Sequence, residues 1–150
     1  MKKIRTLLIV LPILMLLLVA CGNENVNRAV PAGLEIVNKY QTLFNQGDVV
    51  GVTSLFDERS YVSVKNRYEP ETGALSDGSW NVYIDIDSWI QQQVKDNMQI
   101  ALSDCSLATN LITCKITMDA DNHEVEGVQE IVVIDNKIKV VRLTNDTLTR

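Results

Sequence analysis

The feature that most constrains the fold lies in the second half of the chain. Four runs with strand-like composition, residues 99–107, 111–118, 125–134 and 137–143, are separated only by residues 109–110, 120–124 and 135–136. Connections this short leave no room for crossover helices, so the runs form an antiparallel meander. One face of such a sheet has to be buried. The material to cover it lies upstream, where the apolar period changes from two residues to 3.6.

Pro31 suits the first turn of a helix, and Ile36, Val37, Tyr40, Leu43 and Phe44 then share one face. Gly47 stands where a left-handed C-terminal cap is wanted, and Asp48 can cap a second, short helix over 49–57. A strand is expected at 61–65, followed by a loop over 66–79 with no period. A third helix starts after Asp85 or Asp87, with Ile86, Trp89, Ile90, Val94 and Met98 along one stripe. Helices first and a meander last predict an α+β class: N-terminal helices packed in a curled antiparallel sheet of four to five strands, cone-shaped.

Two stretches carry a resemblance. Asn45-Gln46-Gly47-Asp48, joining two helices, resembles the n-x-G-D junction of the nuclear-transport-factor-2-like superfamily, which includes SnoaL-like, ketosteroid-isomerase-like and cystatin-like proteins. Ile131-Val132-Val133-Ile134-Asp135-Asn136-Lys137-Ile138 resembles that superfamily's last hairpin, with Asn136 in place of the usual turn glycine. The resemblance spans residues 32–143 and implies a cone that opens at one end. It does not imply one activity, since the superfamily hosts isomerases, cyclases, hydrolases and non-catalytic binding modules. Loop 66–79 has no counterpart in the pattern.

Cysteine placement follows from counting. With Thr109-Asn110 as a two-residue turn, Ala108 pairs with Leu111, Leu107 with Ile112, Ser106 with Thr113, and Cys105 falls opposite Cys114. A non-hydrogen-bonded pair brings its α-carbons to about 4.5 Å, inside disulfide range. A Cys105–Cys114 bridge is therefore expected, with two reduced core cysteines as the alternative. The same register turns Ile112, Cys114, Ile116 and Met118 toward the core and Asp104 outward, which disfavours Asp104 as a buried base.

At the N-terminus, Lys2, Lys3 and Arg5 precede an apolar run from Leu7 to Ala20. At 14 residues it is short for a membrane span and suits a secretion signal. Leu18-Val19-Ala20-Cys21 resembles the lipobox of bacterial lipoproteins, which implies lipidation, palmitate included, at Cys21. The expected organisation is a signal peptide at 1–20, a lipidated N-terminus and tether at 21–31, and one domain at 32–150. Loss of residues 1–20 removes three positive charges and no acidic ones, taking the formal net charge from -5 to -8. Such a chain is a poor partner for nucleic acid or anionic lipid heads, so the lipid does the anchoring.

Catalytic signals are weak. His123 lies in a polar turn with Asp119, Asp121 and Glu124, read as a solvated tip without aromatic neighbours. The run Asp119, Asp121, His123, Glu130 has calcium-loop spacing but Glu124 where glycine is needed, so no metal is expected. Asn145-Asp146-Thr147 is a glycosylation triplet read as chance. No cofactor and no catalytic residue is assigned. Ligand-binding candidates are the aromatics Trp80, Tyr40, Trp89 and Phe56, with core packing as the competing explanation for the last three.

The expected function is a membrane-tethered extracytoplasmic lipoprotein acting as a non-catalytic ligand-binding or protein-interaction module, at the cell surface or in the periplasm. The alternative is a small SnoaL-like isomerase or hydrolase acting on an apolar ligand. Expected partners are the membrane through the N-terminal lipid, an unknown protein or small apolar ligand, and a second copy through the outer sheet face.

Overall fold

A computed structural model describes residues 30–120 and 123–149; the expected signal peptide and Cys21 lie outside the described residues. Helix α1 (Ala32–Asn45) and the short helix α2 (Val49–Thr53) come first, then strand β1 (Phe56–Lys65). A small hairpin, β2 (Tyr68–Glu69) and β3 (Ala74–Leu75), leads to β4 (Trp80–Tyr83) and helix α3 (Ile86–Lys95). Strands β5 (Gln99–Ala108), β6 (Leu111–Ala120), β7 (His123–Ile134) and β8 (Lys137–Thr149) complete the chain.

The α+β plan holds, but the main sheet has six strands, ordered β4-β1-β8-β7-β6-β5, not four or five. The meander supplies four of them. The other two join through β1, which lies parallel to β8 and antiparallel to β4. Helix α2 stops at Thr53 instead of continuing to residue 57, because Phe56 already pairs with Ile138 of β8. Its β-branched Val49, Val50 and Val52 give a helix little reason to continue. The periodless loop 66–79 contains the β2–β3 hairpin, and β8 runs past residue 143 to Thr149.

The helix junction is built as the glycine and aspartate demand. Gly47, at φ 68°, donates to the Phe44 carbonyl, and the Asp48 amide reaches back to Leu43, a paired closure that satisfies orphan carbonyls of α1. The Asp48 side chain then accepts from the Gly51 amide at 2.8 Å. Asp85, not Asp87, caps α3, accepting from the Ser88 amide at 3.0 Å.

Helix α1 also covers the edge of the sheet. The Asn45 side chain donates to the Ile100 carbonyl and accepts from the Ile100 amide, both at 2.8 Å, and Gln41 accepts from the Leu102 amide at 2.8 Å. Edge groups of β5 that would otherwise be open are thus occupied by helix side chains. Beneath them Val37, Tyr40 and Phe44 meet Ile112, Cys114, Ile116 and Met118 in one core.

Cys105 and Cys114 are joined in a disulfide with α-carbons 4.1 Å apart. The expected register holds from Ala108–Leu111 to Ser106–Thr113 and then slips, so that Ser103 faces Lys115. Two residues, Asp104 and Cys105, therefore oppose Cys114 in a bulge, with Asp104 at φ 49°. Asp104 does point outward, 2.7 Å from the Lys115 ammonium.

Candidate functional site

The helices and the concave sheet face enclose a cavity of about 870 Å³, a size that accommodates a drug-sized molecule. Its inner wall is apolar: Phe44 from α1, Val64 from β1, Trp89 from α3, Ile116 and Met118 from β6, and Leu143 from β8. All six are buried. Alternation of side chains along the strands puts them inside, since each belongs to the inward set of its strand or to the inward stripe of its helix.

Three polar side chains share that buried wall. Tyr40, Gln129 and Asn145 are each 1% exposed and line the cavity. Burial pushes the Tyr40 hydroxyl well above the usual phenol range, opposed only in part by hydrogen bonding with the Gln129 carboxamide. The phenol is therefore a neutral group at any physiological pH. Gln129 Oε1 and Asn145 Oδ1 are buried and have no hydrogen-bond partner.

Asn145 is held rigidly. Its Nδ2 donates to the Asn66 carbonyl at 2.8 Å, and Asn66 Nδ2 returns a bond to the Asn145 carbonyl at 2.7 Å. The register between β7 and β8 shifts beside it, from Glu126–Thr147 to Gly127–Asn145. Gly127 is required there, because a Cβ would lie 2.1 Å from the Thr144 carbonyl oxygen. The close approach of the two backbones seats Asn145 in the wall.

Charge is confined to the outer part of the cavity. Glu69, Glu71, Asp85 and Asp96 line it there, none of them buried. Arg67 is the cation among the lining residues; hydrogen bonding to Tyr83, and less strongly to Glu69 Oε1 at 3.3 Å, favours its charged form. Val82 and Ile84 form an exposed apolar lip.

Of the aromatic candidates, Tyr40 and Trp89 line this cavity. Phe56 does not; it packs behind Tyr40, ring centres 6.2 Å apart. Trp80 does not either. It is 49% exposed and pairs with Lys65, while its strand neighbours Val82 and Tyr83 face the cavity. Gln129 and Asn145 were not among the sequence candidates. The signal for Gln129 was present in alternation, because it shares the inward face of β7 with Val125, Ile131 and Val133.

His123 is not the bare tip that its neighbours in sequence suggest. Its ring centre is 5.6 Å from that of Tyr68, and its Nε2 lies beside Gly73. Part of the calcium-like spacing, Asp121, falls outside the described residues; among those described, no group of three or more His, Cys, Asp or Glu could hold a metal ion. Asn145 of the glycosylation triplet is buried in the cavity wall, with its amide nitrogen engaged.

No protein-family model matches the chain, and no curated protein does either. Solved structures do. An NTF2-like protein of unknown function from Cytophaga hutchinsonii superposes with a TM-score of 0.58 at 8% identity, over 76% of this chain and 89% of the other. A putative ketosteroid isomerase from Kribbella flavida gives 0.59 at 12% identity, over 79% and 81%. A computationally designed 17-OHP binder gives 0.61 at 12% identity, over 79% and 97%. The fold is NTF2-like, with a curled, mostly antiparallel sheet around a few helices.

Proposed function

We propose that this chain is a lipid-tethered extracytoplasmic protein whose cone binds an apolar small molecule without transforming it. The observation that carries the binding reading is the cavity itself: about 870 Å³, walled by buried apolar side chains, with Tyr40, Gln129 and Asn145 as its buried polar groups. All three are neutral. Proton transfer at a bound molecule calls for a group whose pKa lies near the working pH; burial moves Tyr40 away from that range, and the carboxylates lining the cavity sit on its outer part.

The solved structures of like fold include both a putative isomerase and a designed binder. A shared fold does not choose between them, so the choice rests on the neutral wall. An isomerase or hydrolase reading has one point in its favour, the protonated Tyr40 phenol, which could polarise a carbonyl. It would then need a base drawn in from the outer part of the cavity.

The tether rests on Leu18-Val19-Ala20-Cys21 and the apolar run before it. Native mass spectrometry of the protein isolated from the membranes of cells that make it tests both halves together. The expected spectrum shows the diacylglyceryl mass on Cys21 and a non-covalent small molecule at one per chain. An unlipidated chain would remove the tether, and a chain that always emerges empty would remove the ligand.

A further inference from the structure

The exposed apolar side chains of the domain are unevenly placed. Among the described residues, Val30, Leu107, Leu111 and Ile134 stand together at one end, each 36–48% exposed. The start of α1 and two tight turns meet there. Pro31 and Gly33 share a small hollow with Leu107, Asn110 and Asn136, and the Val133 amide donates to the Asn110 carbonyl at 2.9 Å. Leu111 opens β6 and Ile134 closes β7 beside the same turns. The cone is shut at this end, because Val37, Ile112, Ile131 and Ile138 fill it at 1% exposure or less.

The cavity opens at the other end. Its lining comes from the far halves of the elements: Tyr40 and Phe44 of α1, Ile116 and Met118 of β6, Leu143 and Asn145 of β8. Helix α1, with 14 residues, sets the separation at about 21 Å. Val30 follows Cys21 by nine residues, a stretch of chain that reaches at most about 30 Å. A bilayer holding Cys21 therefore meets the closed end with most of that reach unspent. Seating the mouth on the same bilayer would require the tether to run back past α1, using most of its reach at a cost in chain entropy.

Charge sorts the same way. At the closed end Asp57, Glu58 and Asp135 are matched by Arg59, Lys137 and Lys139, with Lys139 paired to Asp57. Around the mouth Glu69, Glu71, Asp85 and Asp96 outnumber Arg67, the one cation among the lining residues. Anionic headgroups therefore repel the mouth and tolerate the closed end. The exposed lip of Val82 and Ile84 is apolar too, but it stands among those carboxylates.

Resting on the lipid tether proposed above, we propose that Val30, Leu107, Leu111 and Ile134 seat the closed end of the domain on the bilayer that holds Cys21. The patch is small, and the tether makes it sufficient. Contact becomes an intramolecular step, with an effective concentration of about millimolar order. The mouth then opens away from the bilayer, and a ligand enters from the aqueous side.

Hydroxyl-radical footprinting of the mature lipidated protein, held in bilayer discs of equal parts phosphatidylcholine and phosphatidylglycerol, reads these side chains directly. Intact mass first establishes the lipid on Cys21. Scaled for exposure and intrinsic reactivity, Leu107, Leu111 and Ile134 should be oxidised several-fold less than Val82 and Ile84. In the double variant Leu111→Asp, Ile134→Asp, still tethered to the same discs, oxidation of Leu107 should rise several-fold while Val82 and Ile84 stay as they were. If that variant does not fold, the wild-type comparison between the two ends decides. Even oxidation of both ends, or protection of Val82 and Ile84 instead, would overturn the seat and leave the tether standing. A chain without the lipid mass would remove tether and seat together.

Discussion

Asn66 and Asn145 exchange two hydrogen bonds, each side chain donating to the other's backbone carbonyl at 2.7 and 2.8 Å. The exchange ties the end of β1 to β8 where the two strands run parallel. Asn66 adopts φ 54°, a conformation that asparagine tolerates better than most residues.

Asn66→Ala removes the donor to a buried carbonyl and places a Cβ-bearing residue without a local hydrogen bond in the left-handed region. It should destabilise the domain by about 2–3 kcal/mol in urea unfolding. A change below about 0.5 kcal/mol would mean the exchange is not structural.

Gly127 carries the second constraint on the same wall. Its α-carbon faces the β8 backbone so closely that any Cβ overlaps the Thr144 carbonyl oxygen at 2.1 Å. The obstacle is backbone, so it cannot rotate away. Gly127→Ala should cost about 2–3 kcal/mol, at the upper end for overpacking, and shift the amide resonances of Asn145 in NMR spectra. A stable protein with an unchanged spectrum would show that the two strands separate at little cost.

The Cys105–Cys114 bridge spans nine residues of sequence. Chain-entropy arithmetic for so short a loop gives at most about 2.5–3 kcal/mol, and the bulge at Asp104 adds a second reason for the bridge, to hold two residues opposite one. Intact mass should rise by two hydrogens on reduction. Reduced protein should unfold at lower urea and exchange the amide hydrogens of β5 faster than those of β7. Free-thiol labelling of both cysteines in the folded, unreduced protein would contradict the pairing.

Asp57 should contribute to acid sensitivity alongside Asp85 and Asp104, whose carboxyls are also held low by their hydrogen bonds to Ser88 and Lys115. The Asp57 carboxyl is held below the usual carboxylate range, first by the Lys139 ammonium and then by the Arg59 amide. A depressed folded-state value means that the stabilisation is fully present above the unfolded value of about 3.9 and is lost as pH falls through the folded value. Melting temperature should therefore drop as pH goes below about 4. Asp57→Asn should lower the melting temperature at pH 7 and flatten that acid limb. An acid limb unchanged by the substitution would show that the Asp57–Lys139 pair contributes nothing to it.

Much of this architecture was legible where information is local. Gly47 and Asp48 announce the helix junction through cap chemistry, and Asp135-Asn136, both at positive φ, form the tight turn that their type allows. The core face of β6 and the Cys105–Cys114 pairing followed from counting back from one turn. The bulge at Asp104 did not, because nothing in Ser-Asp-Cys marks an extra residue; it shows only in the partner's register. Strand β4 was missed because it is four residues long and owes its strand state to β1. The parallel β1–β8 pairing is likewise non-local.

The site was legible only in part. Tyr40 and Trp89 stood out as large aromatics on helical stripes, whereas Phe56 and Trp80 are equally large but sit on strands and do not line the cavity. Gln129 and Asn145 are ordinary strand residues until strand faces are assigned. Then each is a polar side chain on an apolar inward face, and that is the pattern to search for in such cones.

The central claim, an apolar-ligand cone, is tested most directly with Trp89. The chain has two tryptophans; Trp89 lines the cavity at 8% exposure, and Trp80 is outside it at 49%. Trp80→Phe therefore leaves one reporter in the cavity wall at little cost in stability. Titration with N-phenyl-1-naphthylamine, a neutral fluorophore with an N–H donor, should quench Trp89 emission, sensitise naphthylamine emission, saturate at one per chain and reverse on adding 2-naphthol. The fluorophore should be recovered chemically unchanged. Unsaturable binding, or Trp89 emission that stays constant throughout, would contradict a ligand-binding cone.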